Sequence, residues 1–530
     1  MISRVIFWVA CLILLLPVGQ LLLGVFAPVD TESWEQVREY LLVPAIWESI
    51  YLTVAVCVLS LLFGVPAAWC VSRFQFPGRR LFSVLLVLPL AVPPYVAAYI
   101  STDAREALIP WLVSIRENQG VEAFLLAERV HRFSWLSVML AAVLYPYVFL
   151  TARAAFSGTG CRLADAGRTL GSGPWRSFFT ISLPLARPAL AAGLFLVAME
   201  TLNDYGGVTY FGVQTLTPTL FKTWFGLGDI ESARRLAAWI LIVILVLRFL
   251  EVRFRGRAGF ESQRRPARPT QLPKRPVLIA CLIACFGPVL VGFLYPCLTL
   301  LYWLSRTTGP DRTEGLIRAT GHSLGLGLAV TALCLLAALV INGINRFVRS
   351  PAQDTLARIA SVAGYASPGS VLAVAIFGTA AFFREVPFLP EFVRPWLISG
   401  SLLWLVYGLS VRYFAIAGQM TREGLASIPR GLDDSARLLG GRPFSAFIGV
   451  QLPLLRPALA GAGILVFIDV VKELPLSLLL RPFDFETLGT WTYGLVDQGL
   501  IFACAAPSLA IVAIGSIGLV VVELFLLKRS

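Results

Sequence analysis

Lysine is nearly missing from this chain. Lys222, Lys274, Lys472 and Lys528 are the only four in 530 residues, and none follows a glycine. A phosphate-cradling GxxxxGKS/T loop is therefore excluded, and ATP hydrolysis linked to this protein must belong to another polypeptide. Histidine is scarcer still: His131 and His322 lie far apart in the sequence, neither within helical spacing of a ligand cluster, and no HExxH occurs. They read as residues of loops or span ends, not as metal ligands. The nine cysteines sit mainly inside apolar runs without a CxxC pair. That pattern suits small core residues and excludes a disulfide framework or a thiolate metal site. Charge is scarce overall, at 14% of residues, against about 25% in an ordinary soluble domain.

What fills the space is apolar. Hydrophobic residues make up 57% of the chain and the mean hydropathy is +0.77, which defines an all-α polytopic membrane protein. A net charge of +13 would also suit a nucleic-acid binder, but the basic residues gather in short connectors, with no basic helix or aromatic platform beside them. A span needs about 20 mostly apolar residues. Twelve runs qualify, starting near Val5, Ile46, Leu81, Trp135, Pro188 and Leu236, then near Val277, Gly321, Ile359, Leu397, Pro457 and Phe502. The first, from Val5 to Ala27 behind Arg4, is longer than the roughly 7 to 15 residues of a signal-peptide core, which predicts an uncleaved span.

Arginine-rich connectors set the expected orientation. Ser72 to Arg80 and the stretch from Arg253 to Pro276 are basic, whereas Ala27 to Tyr40 is net acidic. The positive-inside bias then puts both termini and residues 253–276 in the cytoplasm. That linker has eight basic residues, one acid (Glu261) and four prolines, the composition of a flexible, lipid-facing tether. It divides the chain into a first half, 1–252, and a second, 277–530, each with six spans. An even number of spans makes the halves a parallel repeat about an axis along the membrane normal.

The repeat is written out in the chain. LADAGRTLGSGPWRSFFTISLPLARPAL (Leu163 to Leu190) returns as LDDSARLLGGRPFSAFIGVQLPLLRPAL (Leu432 to Leu459) at an offset of 269, with about half the positions identical. Helix formers run up to Gly171 and Gly440, which suit a left-handed closing residue, and Pro174 and Pro443 suit the first turn of a following helix. Leu183–Pro184 is expected to bend the chain back toward the membrane. One such passage alone would read as an interfacial amphipathic helix; two matched copies look like sockets for a partner.

These passages resemble the EAA loop of binding-protein-dependent ABC importer permeases: an acidic-Ala-Ala trio, a glycine four residues beyond it, then Ile-x-Leu-Pro. The first copy, in a loop of about 156–187, has Asp165, Ala166, Gly167, Gly171, Ile181, Leu183 and Pro184. The second, about 420–456, has Asp434, Ser435, Ala436, Gly440, Val450, Leu452 and Pro453. Asp stands for the usual Glu in both copies, Gly167 and Ser435 replace alanines, and Val450 replaces Ile. The resemblance implies a type I importer permease fold of about twelve helices in a bacterial inner membrane. It also implies that each loop couples to a cytoplasmic ATPase, so that a fused chain serves two ATPase subunits and receives its substrate from a periplasmic binding protein. ATP is then used by the partner, and this chain binds no cofactor. An ion-coupled secondary transporter is the alternative of a different class; it would not need two glycine-capped cytoplasmic loops.

Met199 to Thr217, Ile468 to Tyr493 and the proline-broken third spans (Leu88 to Tyr99, Tyr365 to Ile376) resemble the ferric-iron branch, which implies Fe(III) as substrate. Thiamine, sulfate and phosphonate-type compounds travel through related permeases. The repeat offset pairs Glu200 and Asp204 with Asp469 and Glu473. At i, i+4 each pair shares a helix face where the helix persists, roughly 18 to 24 Å above the cytoplasmic edge of a core about 30 Å thick. Two expectations stand side by side. The four acids either form a carboxylate ring that holds Fe(III) transiently, with Lys472 limiting its affinity, or are solvated span-end groups partnered by Lys472 and Asn203.

Overall fold

A computed structural model describes residues 2–26, 31–157, 173–255, 272–307, 312–348, 350–364, 367–385, 401–438, 440 and 443–529. Among the described residues the backbone is helical, with an isolated bridge at Phe74 and no sheet, as hydrocarbon demands of a chain that must satisfy its own peptide groups. Among the described residues eight helices are long and apolar enough to cross a membrane. A ninth crossing forms if the pair Arg79–Ala91 and Pro94–Ile100, bent by 88°, is one span. The bend falls at Val92 and Pro93, both extended, because a residue preceding proline is pushed out of the α region. Of the twelve expected starts, eleven lie in described helices. Leu397 lies outside the described residues, and the helix Leu402–Ser427 follows it. The third span of the second half is likewise interrupted, as Pro351–Ala363 and Gly369–Glu385.

The helices pack as two compact units that do not follow the sequence halves. One comprises Met1–Trp34, Leu220–Ile242 and Gly309–Thr492; the other comprises Glu35–Thr219, Val243–Thr308 and Tyr493–Ser530. In the first, the long helix Arg312–Val348 packs against Leu402–Ser427 and Leu452–Val471, and the N-terminal helix Ile2–Leu23 lies on Arg312–Val348 and Gly369–Glu385. In the second, Val43–Arg73 packs against Val121–Ser157 and Leu183–Asn203, joined by Arg275–Val289, while Tyr295–Arg306 packs on Ala505–Arg529. Each unit thus includes helices from the opposite half of the sequence: Ile2–Leu23 in the first, and Arg275–Val289, Tyr295–Arg306 and Ala505–Arg529 in the second.

Close helix approach in the second unit depends on glycine. A Cβ on Gly64 would stand 3.0 Å from the Phe149 nitrogen and 3.1 Å from the Tyr145 carbonyl oxygen; one on Gly193 would stand 3.1 Å from the Tyr147 carbonyl oxygen. Both glycines face Val121–Ser157, so two neighbouring backbones approach that helix, the small-residue packing that membranes favour where apolar burial gives no net drive. Gly64→Leu and Gly193→Leu should each destabilise the purified protein by about 1–3 kcal/mol through overpacking. Gly19→Leu, where a Cβ meets nothing within 4 Å, should leave thermal unfolding unchanged. Equal shifts for all three variants would contradict this packing.

Candidate functional site

The two repeated loops fold alike wherever both are described. Short helices start at the expected prolines, Pro174–Ser177 and Pro443–Ala446. Each passes into a π-helical turn, Phe178–Ser182 and Phe447–Gln451, and then into the long helices Leu183–Asn203 and Leu452–Val471. The bend expected at Leu183–Pro184 is absent: the helix runs straight on, with Pro184 and Pro453 in its first turn. A proline cannot donate to the carbonyl four residues back, and its ring displaces that carbonyl. The π turn absorbs the clash, since the amides of Leu183 and Leu452 donate five residues back, to the Phe178 and Phe447 carbonyls.

In the second loop the helix Arg430–Leu438 ends before Gly440, which takes the left-handed φ of +79° expected of it. Asp434 and Ser435 are exposed on this helix, while Ala436 is half-buried. Val450 and Leu452 lie half-buried beyond it, with Pro453 exposed. Asp165, Ala166, Gly167 and Gly171 lie outside the described residues; Ile181, Leu183 and Pro184 are half-buried.

Sequence reasoning missed the clamp that holds the second loop. Asp433, buried beside the exposed Asp434, accepts from Arg346 Nε at 2.8 Å and from Gln451 Nε2 at 2.6 Å. The same guanidinium donates to the carbonyls of Leu425 and, at 3.1 Å, Ile428. Arg346 stands near the C-terminus of Arg312–Val348, and Leu425 lies in the last turn of Leu402–Ser427, so one cation satisfies carbonyls at a helix end and ties it to the loop. Beneath lie Leu425, Ile428 and Leu455, packed with Leu339 and Phe447. At the repeat offset Asp433 and Gln451 become Ala164 and Ser182. A search for what recurs could not find it.

The paired acids also depart from expectation. The long helices stop at Asn203 and Val471, one residue before Asp204 and two before Glu473, so the i, i+4 pairs do not share a helix face. Asp204 turns its carboxylate onto the Val208 amide at 2.9 Å, at the start of Gly206–Tyr210, where a side chain on Gly207 would meet it at 2.6 Å. Glu473 accepts from the amides of Leu476 (2.8 Å) and Ser477 (2.9 Å) and from the Ser477 hydroxyl (2.8 Å), at the start of Pro475–Leu480. Both are buried and, from the position before the N-cap residues Tyr205 and Leu474, their carboxylates satisfy first-turn amides of short helices. Asp469 pairs with Lys472 at 2.7 Å; Glu200 is half-buried near the end of its helix. Among the described residues no group of three or more His, Cys, Asp or Glu side chains is placed to hold a metal.

Motif reading also passed over one GxSxG spelling, Gly321-His322-Ser323-Leu324-Gly325, the pattern of a nucleophilic serine on a strand-to-helix elbow. It lies inside the helix Arg312–Val348, and Ser323 Oγ accepts the Leu488 amide at 2.7 Å. His322 stacks on Phe485 and puts Nδ1 3.0 Å from the Glu486 carbonyl. These residues anchor the start of the next helix. Ser49 does the same in the other unit, accepting the Leu216 amide at 3.0 Å. His131, expected at a loop or span end, lies inside the helix Val121–Ser157 beside Trp135.

The sequence of this chain is similar to those of known proteins. Residues 60–253 match the family described as binding-protein-dependent transport system inner membrane component. Over 490 residues the chain is 23% identical to the Fe(3+)-transport system permease protein FbpB 2 of Haemophilus influenzae, covering 91% of this chain and 88% of that one. It is 32% identical over 236 residues to the molybdenum transport system permease protein ModB of Escherichia coli, covering 40% of this chain and 96% of that one. It is 27% identical over 248 residues to the sulfate transport system permease protein CysT of the same organism, covering 45% and 86%. The chain belongs to the family of binding-protein-dependent inner-membrane permeases. It is a multi-pass transport subunit that works with a binding protein and an ATPase, and it is a fused, two-half member, since a relative as long as ModB accounts for less than half of it.

The capping geometry yields a stability order. Glu473→Gln turns an NH2 group toward one of the donors that its two oxygens accept and should cost about 1–3 kcal/mol, whereas Asp204→Asn can keep an oxygen on the Val208 amide and should cost less. Asp469→Asn, at a partly exposed ion pair, should cost less. Thermal unfolding of the three purified variants checks this; Asp469→Asn as the least stable would contradict it.

Proposed function

We propose that this chain is the permease of a ferric-iron ABC importer, passing Fe(III) from a periplasmic binding protein to the cytoplasm by alternating access. The observation that carries this reading is length: the iron permease matches 91% of the chain, whereas the molybdenum and sulfate permeases match 40% and 45% of it. The breaks after Leu183–Asn203 and Leu452–Val471 support it independently. Oxyanion sites commonly use free helix N-termini, yet here the short helices after both breaks are closed by the chain's own carboxyl groups, Asp204 and Glu473. Those amides are taken, and Glu200 and Asp469 add further carboxyl groups beside them, while Lys472 keeps Asp469 from holding a trivalent cation tightly.

In this reading the repeated halves, 1–252 and 277–530, joined through 253–276, each present one loop to an ATPase subunit, two copies in all. Asp165, Ala166, Gly167 and Gly171 in one loop, and Asp434, Ser435, Ala436 and Gly440 in the other, are the ATPase-docking residues. Ile181, Leu183 and Pro184, with Val450, Leu452 and Pro453, carry the motion into the spans. Both termini and the linker are cytoplasmic, and ATP is used by the partner alone.

The higher local identity to the molybdenum permease, 32%, favours an oxyanion as the second reading. Proteoliposomes containing the chain, its ATPase and its binding protein separate the two. Radiolabelled Fe(III) should accumulate with ATP, and molybdate and sulfate should not. Uptake of molybdate or sulfate without iron uptake would overturn the ferric assignment while leaving the permease assignment intact.

A further inference from the structure

Beside the second loop lies a cavity of about 600 Å³. Arg346, Arg358, Arg422 and Arg430 line it, and Asp354 is the single carboxylate among the lining residues. Asp354 is engaged on several sides: Arg358 donates to it from Nε at 2.9 Å and Nη2 at 2.5 Å, and Asn345 donates at 3.1 Å. Arg422 Nη2 lies 3.8 Å from it, beyond hydrogen-bond reach, and that buried nitrogen has no hydrogen-bond partner. Among the described lining residues the cavity thus sets four guanidinium groups against one carboxylate. Ser350 and Pro351, at the start of the thirteen-residue helix Pro351–Ala363, also border the space, adding the positive end of a helix dipole.

A planar guanidinium matches two oxygens of one phosphoryl group. We propose that this cavity binds a phosphate-bearing anion between Arg358, Arg422 and Arg430, and that occupancy steadies the second coupling loop through Arg346. The link is short: Arg346 both lines the cavity and holds Asp433 at 2.8 Å. In the other unit a cavity of about 470 Å³ includes Gln75, Arg79 and Arg80. Those residues sit at the repeat offset from 344–349, so the fold opens a basic space at the same turn in each half. The anion is either the headgroup of an acidic lipid or a free phosphate. The lipid source rests on the cytoplasmic placement of the loops proposed above; the free source does not.

The test uses the full chain, first in neutral detergent titrated with inorganic phosphate, then in nanodiscs of phosphatidylcholine with and without phosphatidylglycerol. Thermal unfolding should shift upward with one or both, since a ligand binding only the folded state stabilises it. A shift with phosphate alone identifies the free anion; a shift only with phosphatidylglycerol identifies the headgroup. Arg358→Gln, at an exposed side chain, should weaken the response, and Arg358→Gln with Arg422→Gln should abolish it. Asp354→Asn should move the response to roughly tenfold lower anion concentration, about 1.4 kcal/mol. No shift with either anion, or an equal shift in the double variant, would overturn the proposal. Stabilisation only on adding the ATPase subunit would also overturn it, assigning the cavity to an acidic side chain of that partner.

Discussion

Hydrocarbon offers a peptide group no hydrogen bond, so wherever a spanning helix stops short the chain must supply the missing partner itself. Much of the polar chemistry in this permease follows from that constraint. The helix Gly206–Tyr210 is capped by Asp204 and Pro475–Leu480 by Glu473. The helices that follow are capped from neighbouring helices, Leu216–Phe221 by Ser49 and Leu488–Asp497 by Ser323. The π turns ahead of Pro184 and Pro453 answer the same demand at the other end of the long helices, shifting one hydrogen bond so that a proline can enter without breaking the rod.

Such breaks expose backbone groups and let a span change shape locally. Closing each break with an internal carboxyl group holds the short helix in place, and in the ferric-iron reading proposed above it also sets acidic groups near the ends of the long helices. Farther along, Arg346 performs a related task at the loop, satisfying carbonyls at one helix end while binding Asp433 on the helix Arg430–Leu438. A push on Arg430–Leu438 therefore reaches Arg312–Val348 and Leu402–Ser427 through one guanidinium.

What could be read from the sequence was what occurs twice. Pro174 and Pro443 both start helices, Gly440 has the left-handed backbone that its place after Leu438 requires, and the apolar runs coincide with described helices. The Asp433 clamp was hidden because Ala164 and Ser182 stand at its counterparts, so the repeat was silent there. The role of Asp204 and Glu473 was hidden for another reason. Spacing of i, i+4 has meaning only while a helix continues, and nothing local in Asn203–Asp204 or Lys472–Glu473 announces its end. The exchange of helices between halves is likewise a matter of packing, and no motif records it.

The central claim is that the repeated loops are where ATPase motion enters the membrane. Photo-crosslinking tests it most directly, with a benzophenone amino acid at Ser435, exposed on the second coupling helix, and another at Leu125, exposed on Val121–Ser157. With the ATPase present, the probe at 435 should capture it, with a yield that changes when ATP is bound, and the probe at 125 should not. No capture at 435, or equal capture at both positions, would contradict the account.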